Sequence, residues 1–138
     1  MSSKNLVVAL VDDDEIFQLI ASKLFELCAP QFEIKKFFNG DEILEHLKLN
    51  LTYTRAIPDI ILLDINMPMM DGWMFMEEFA RLKDQINKTV RIYMVSSSID
   101  PKDVDRANLN PSIMEYVCKP ITAALVKRIT APYNIPER

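Results

Sequence analysis

Glycine is nearly missing from this chain: Gly40 and Gly72 are the two in 138 residues. Neither a dinucleotide-binding fingerprint nor a nucleotide phosphate loop can be spelled, because each needs several glycines within a few positions to bring backbone amides onto phosphate. Cysteine is as sparse, with Cys28 and Cys118, no C-x-x-C pair and no secretory signal. That pattern points to two buried free thiols rather than a disulfide. Basic runs do not exceed a pair, Lys35-Lys36 and Lys127-Arg128. With 16 basic against 20 acidic residues, a net charge of −4 and a pI near 5.0, the chain offers no electrostatic footprint for a nucleic-acid backbone. Long apolar runs are missing too: Leu6 to Val11 and Ile60 to Leu63 fall far short of a membrane crossing, and the first leads into acids rather than a cleavage site. The expectation is a cytoplasmic protein with neither a nucleic-acid nor a membrane partner. In that setting the glycosylation triplets at Asn50 and Asn87 are chance.

What is present is a composition of 49% apolar and 26% charged residues, enough for one domain with one substantial core. Short β-rich runs alternate with helical periodicity. Asn5 to Val11 reads as a strand, and Asp14 to Cys28 as a helix whose apolar face is Ile16, Leu19, Ile20, Leu24 and Leu27. Phe32 to Phe38 is an edge-like strand, Asp41 to Leu49 a helix, and Asp59 to Asp64 a continuously apolar, central strand buried on both faces. Gly72 to Lys83, Val90 to Val95, Asp100 to Asn108, Ile113 to Cys118 and Ile121 to Thr130 continue as helix, strand, helix, strand and helix. Five strands alternating with five helices predict a doubly wound α/β domain with a parallel sheet, because parallel strands need crossovers that place helices on both faces. The domain is expected over residues 1–131, with 132–138 a proline-broken C-terminal tail and no output domain.

The conspicuous polar residues fall at the carboxyl ends of the expected strands: Asp12-Asp13 after the first, Asp64 at the third, Ser96 at the fourth, Lys119-Pro120 after the fifth. The second strand contributes nothing comparable. Ligands of open α/β sheets bind outside the carboxyl ends, where strand order reverses, so this distribution fits the order 2-1-3-4-5 of a flavodoxin-like three-layer sandwich. Carboxylates meeting there repel; two about 4 Å apart do so by ~4 kcal/mol at an effective dielectric of 20. A hard divalent cation relieves that conflict, and an oxygen-only donor set favours Mg²⁺ over zinc. A carboxylate beside such a cation can attack phosphorus and hold an acyl phosphate, with an ammonium (Lys119) and a hydroxyl (Ser96) facing the phosphoryl oxygens.

Four runs in this order, Leu10-Val11-Asp12-Asp13-Asp14, Asp64 through Gly72, Val95-Ser96-Ser97 and Tyr116-Val117-Cys118-Lys119-Pro120, resemble the receiver domain of two-component response regulators, of the chemotaxis-receiver, single-domain kind. The resemblance covers residues 5 to 130 and implies a Mg²⁺-dependent phosphorelay step. Asp64 takes a phosphoryl group from a phosphohistidine on a sensor histidine kinase or a histidine phosphotransfer protein. Asp13 binds the metal directly, Asp12 mostly through water, and the backbone carbonyl of Asn66 is a further ligand. Ser96 and Tyr116 form the switch, Lys119 contacts the phosphate, and the face of the fourth helix, fifth strand and fifth helix meets a downstream protein. The chain departs from the family pattern at Ile121, where an aromatic is common, and at Ser97, where alanine is frequent. The implied role is a signalling phosphoacceptor, catalysing only its own phosphorylation and dephosphorylation.

Two other classes compete. A small haloacid-dehalogenase-like phosphatase would use Asp12 as nucleophile and Asp14 as acid, but needs a second acidic cluster where the chain reads Ser96-Ser97-Ser98. A flavin-binding domain would need a hydroxyl-rich loop after the first strand, where three aspartates would repel the phosphate. Among the remaining residues, Asp14 reads as a helix N-terminal acid, and His46 as an ordinary surface or half-buried side chain. The methionines around Met67 to Met76 read as adaptable packing.

Overall fold

The computed structural model describes residues 6–134. In chain order these form β1 (Leu6–Val11), α1 (Glu15–Cys28), β2 (Phe32–Phe37), α2 (Gly40–Leu49), β3 (Ile60–Asp64), α3 (Gly72–Leu82), β4 (Arg91–Ser96), α4 (Pro101–Leu109), β5 (Ile113–Cys118) and α5 (Ala123–Thr130). Short 3-10 turns lie at Thr54–Ala56, Lys83–Gln85 and Ala131–Tyr133. All neighbouring strands pair in parallel, in the order β2-β1-β3-β4-β5. The expected fold class and strand order are both observed.

Each helix begins where a short polar side chain can satisfy an otherwise unpaired amide. Asp14, Asn39, Asp71, Asp100 and Thr122 each accept a hydrogen bond from an amide of the first turn, a contribution of ~1 kcal/mol apiece. β3 is buried along its whole length, and its alternating side chains feed two cores. Ile61 and Leu63 pack with Ile43, Leu47, Phe75 and Phe79 beneath α2, α3 and α4, whereas Ile60 and Leu62 pack with Phe17, Ala21, Phe25 and Val126 beneath α1 and α5. At the amino end of the sheet the buried Asp59 carboxylate accepts from the Val7 amide at 2.8 Å and pairs with Lys88 at 3.4 Å. The polar residues singled out from the sequence lie at the opposite, carboxyl end of β1 and β3, where strand order reverses.

Three expectations need correcting. Of the expected apolar face of α1 only Leu24 packs, half-buried, against the core; Ile16 and Leu27 are 69% and 79% exposed, and Leu19 and Ile20 are exposed as well. The buried face is Phe17, Gln18, Ala21, Ser22 and Phe25, a second stripe of the same period that the right-handed crossover turns onto the sheet. The segment after Thr130 is not a free tail as far as it is described. Tyr133 packs edge-on against Phe32 at 5.4 Å, lies under the Arg91 guanidinium at 5.3 Å and donates from its hydroxyl to the Asp59 carbonyl at 3.3 Å. Residues 135–138 lie outside the described residues. Of the two thiols, both free, Cys28 is half-buried and Cys118 exposed, because Cys118 points off an edge strand.

Candidate functional site

β1 runs out at Val11 and β3 at Asp64, on either side of the point where the strand order reverses. Asp12 continues the line of β1, its amide donating to the Phe37 carbonyl at 3.0 Å, and its side chain is fully buried. One oxygen of that carboxylate accepts from the Asp14 amide at 2.9 Å; the other lies 2.7 Å from the Lys119 ammonium. Asp13 is exposed at the mouth of the site, and Asp64 is buried at 5% exposure. Carboxylate oxygens of Asp12, Asp13 and Asp64 all lie within 4.8 Å of one another. Lys119 bridges two of these acids, with its ammonium 3.6 Å from Asp64 Oδ1 and 4.8 Å from the centre of the Phe17 ring.

β4 and β5 hold the remaining groups. Ser96 is fully buried at the end of β4, and its carbonyl accepts from the Lys119 amide at 2.7 Å, so hydroxyl and ammonium are set by one strand pairing. Ser96 Oγ accepts from the Ser98 amide at 3.2 Å, and the Ser98 carbonyl accepts from the Tyr116 hydroxyl at 2.6 Å. Ser96 is thereby joined to the half-buried Tyr116 through a single residue of the β4–α4 loop. Lys119 precedes Pro120 across a cis peptide bond. Ile121 packs into the core beneath α1 and α5.

The electrostatics follow from burial and crowding. Asp64 is pushed up to about 6, first by burial and next by the neighbouring Asp12 charge; Lys119 and the Asn66 amide pull the other way without overcoming them. Asp12 is raised too, with burial the largest cause. Burial opposes the Lys119 ammonium, but its bonds to Asp12 and Asp64 outweigh that and raise it overall. Two buried acids held above their ordinary values, with an exposed third beside them, form a donor set of hard oxygens that a small divalent cation fits.

Asp12, Asp13, Asp64, Ser96 and Lys119 are thus brought to one end of the sheet. Asn66 lies two residues after Asp64 in the β3–α3 turn, exposed, and its backbone amide favours the charged form of the Asp64 carboxylate. Asp14 is not part of the cluster: its carboxylate caps α1, accepting from the Ile16 amide at 2.9 Å. The paired acid that a phosphatase acting through Asp12 requires is therefore committed elsewhere. His46 is outside the acidic cluster: its Nε2 lies 2.8 Å from the Ala56 carbonyl and its ring packs against Phe37 at the end of β2.

Three contributors were not singled out from the sequence. Phe17 supports the Lys119 ammonium, and Gln18, beside it on α1, is buried against the end of β1. Both belong to the stripe of α1 that competes with the more aliphatic outward one, and the spacing of Phe17, Ala21 and Phe25 is its signal in the sequence. The third is Gly72. A Cβ there would lie 2.9 Å from the Asp64 carbonyl and 3.0 Å from Ile65 Cα, so α3 starts in direct contact with the Asp64 backbone.

A doubly wound parallel sheet with an acidic pocket at its switch point, closed by a lysine and a serine from the next two strand ends, defines a phosphoryl-accepting signalling module rather than a nucleotide- or flavin-binding one. The chain belongs to the response regulator receiver domain family, whose model matches residues 8–130. It is 34% identical over 125 residues to the transcriptional regulatory protein PrrA of Mycobacterium leprae, covering 90% of this chain and 48% of that protein. It is 27% identical to the two-component response regulator ORR41 of Oryza sativa subsp. japonica, over 98% of this chain and 99% of that one. Among solved structures, a two-component response regulator from Cytophaga hutchinsonii superposes with a TM-score of 0.83 at 27% identity, covering 94% of this chain and 97% of that chain. The protein is a receiver of a two-component phosphorelay. Among the described residues no helix is long and apolar enough to cross a membrane.

Proposed function

We propose that Asp64 is the phosphoacceptor of this receiver and that Asp12, Asp13 and Asp64, with the Asn66 carbonyl, hold a Mg²⁺ ion at the end of β1 and β3. The observation that carries the reading is the convergence of three carboxylates within 4.8 Å, two of them bridged by Lys119. When bound, the ion neutralises the acids and the incoming phosphoryl oxygens. An Asp64 carboxylate oxygen attacks the phosphorus of a partner's phosphohistidine. The new O–P bond forms as the N–P bond breaks, and the imidazole leaves with its electron pair and takes a proton. Lys119, released from its carboxylate partners, turns its charge to the phosphoryl group, and Ser96 Oγ donates to another of its oxygens.

The switch uses the Ser96–Ser98–Tyr116 chain. Drawing the Ser96 hydroxyl toward a phosphoryl oxygen removes it as acceptor for the Ser98 amide, and the Ser98 carbonyl is what anchors the Tyr116 hydroxyl. The ring and the β4–α4 loop are thus biased together. A few charge-assisted hydrogen bonds of ~1.5–3 kcal/mol each suffice against the ~5.5 kcal/mol needed to invert a two-state population. The downstream face is that of α4, β5 and α5, where Leu109 and Met114 are exposed, with the exposed Ile99 in the loop that leads into α4. The phosphodonor approaches across the outward stripe of α1, where the exposed Ile16 and Ile20 line a shallow apolar groove with Phe17, Pro120 and Ile121 beside Lys119. That encounter belongs in the cytoplasm, where sensor kinases present their phosphohistidines.

The test is intact-mass measurement after incubation with acetyl phosphate and Mg²⁺. The wild type gains one phosphoryl unit, Asp64→Asn gains none, and Asp12→Asn gains it slowly. Labelling that survives Asp64→Asn but is lost in Asp12→Asn would overturn the assignment.

A further inference from the structure

Gln18 is buried at 2% exposure on the first turns of α1, and its side-chain nitrogen faces three carbonyl oxygens at once: Leu10 at 2.9 Å, Asp12 at 3.1 Å and Phe37 at 3.0 Å. Those oxygens sit at the carboxyl ends of β1 and β2, where the ladder between the two strands runs out. Past Phe37 the β2 chain turns away: the Phe38 amide donates to the Glu42 side chain instead of back to β1. Buried carbonyls at such an end need donors from somewhere, and the Gln18 amide supplies them. Its orientation is dictated by the surroundings, since the reverse flip would place an oxygen against three carbonyls. The cost is its own Oε1, which is buried without a partner.

The Asp12 carbonyl belongs to the peptide that joins Asp12 to Asp13. Holding that oxygen fixes the plane of the peptide between the two adjacent acids, and with it the direction in which each carboxylate leaves the chain. The Phe37 carbonyl is shared, accepting from the Asp12 amide at 3.0 Å as well as from Gln18, so the residue is held on both of its backbone faces. We infer that Gln18 is a positioning residue for the cation site: it touches neither ion nor phosphoryl group, but sets the Asp12–Asp13 turn so that both carboxylates converge on Asp64. The inference rests on the Mg²⁺ reading of that cluster. Groups that orient metal ligands in this way contribute roughly 10- to 100-fold to affinity.

Isothermal titration of the metal-free protein with Mg²⁺ alone tests it, using Gln18→Met, which keeps the volume and removes the donors. Gln18→Asn, which keeps the donors but withdraws them by a methylene, is the second variant. Ile129→Val, a buried change on α5 away from the turn, controls for lost stability. The expected result is a Mg²⁺ dissociation constant raised about tenfold or more in Gln18→Met, raised less in Gln18→Asn, and unchanged in Ile129→Val. The Mg²⁺ concentration giving half-maximal labelling by acetyl phosphate should rise in parallel, while the rate at saturating Mg²⁺ stays within about threefold of the wild type. Wild-type affinity in both Gln18 variants overturns the positioning role and leaves the cation site standing. A wild type that takes up no Mg²⁺ overturns the cation site and this inference with it.

Discussion

Asp64 illustrates how a residue can be placed against its own ionisation. Its carboxyl is held at about 6, against an ordinary 3.8, because burial and the Asp12 charge outweigh the Lys119 ammonium. Such a group titrates later in the folded chain than in the unfolded one. Between about pH 4 and 6 the folded form holds the extra proton, so the metal-free protein loses stability as pH rises through that window. Asp12, also raised, acts in the same direction, while Lys119 titrates far above it. In EDTA the thermal midpoint should therefore be several degrees higher at pH 5 than at pH 7, as read by calorimetry. Removing the charge has a matching consequence. Asp64→Asn should stabilise the metal-free protein at pH 7 by roughly 1–3 kcal/mol in urea unfolding and flatten the pH dependence. Gly72 is the opposite kind of residue, present for what it lacks. Gly72→Ala forces a methyl onto the Asp64 carbonyl and Ile65 backbone, and should cost roughly 1–3 kcal/mol while slowing acetyl-phosphate labelling.

At the scale of elements, β3 and α1 show why part of the site was legible and part was not. Asp12, Asp13, Asp64, Ser96 and Lys119 could be read because each ends an apolar run, and the end of a strand is visible in the chain itself. Which face of α1 turns inward is not. Ile16, Leu19, Ile20 and Leu27 have the same helical period as Phe17, Ala21 and Phe25, and the choice is made by the crossover onto β1 and β2, a tertiary matter. Gln18 and Phe17 were hidden by that ambiguity. Tyr133 was hidden because one aromatic after a proline has no period to reveal its packing. α4 was expected on weak periodicity, and it is weakly rooted: Ala107 is its one buried residue. The Trp73 side chain reaches it from α3, its indole N–H donating to Asp103 at 3.1 Å and its ring lying 4.4 Å beneath the Arg106 guanidinium. Trp73→Leu should leave the sheet protected but speed amide exchange across α4 by about tenfold, since losing ~1–2 kcal/mol of these contacts lowers the cost of local opening. Unchanged α4 exchange would show that the helix is held by other means.

Over the whole molecule, the sheet separates two kinds of buried charge. At the amino end Asp59 is matched by Lys88 and by the Val7 amide. At the carboxyl end Asp12 and Asp64 share one lysine and remain raised. The first arrangement closes a fold; the second leaves acids that a cation can relieve. Mg²⁺ should accordingly stabilise the native protein at pH 7 by ~2.7 kcal/mol at a hundredfold excess over its dissociation constant. That gain should shrink toward pH 5 as the acids protonate, and calorimetry with and without the ion checks both.

The most direct measurement is the position of the label. After reaction with acetyl phosphate and Mg²⁺, reduction with borohydride converts an aspartyl phosphate to homoserine, which peptide mass spectrometry locates. Homoserine at position 64 alone is the predicted result. Homoserine at position 12 or 13, with Asp64 unmodified, would contradict the assignment of the acceptor.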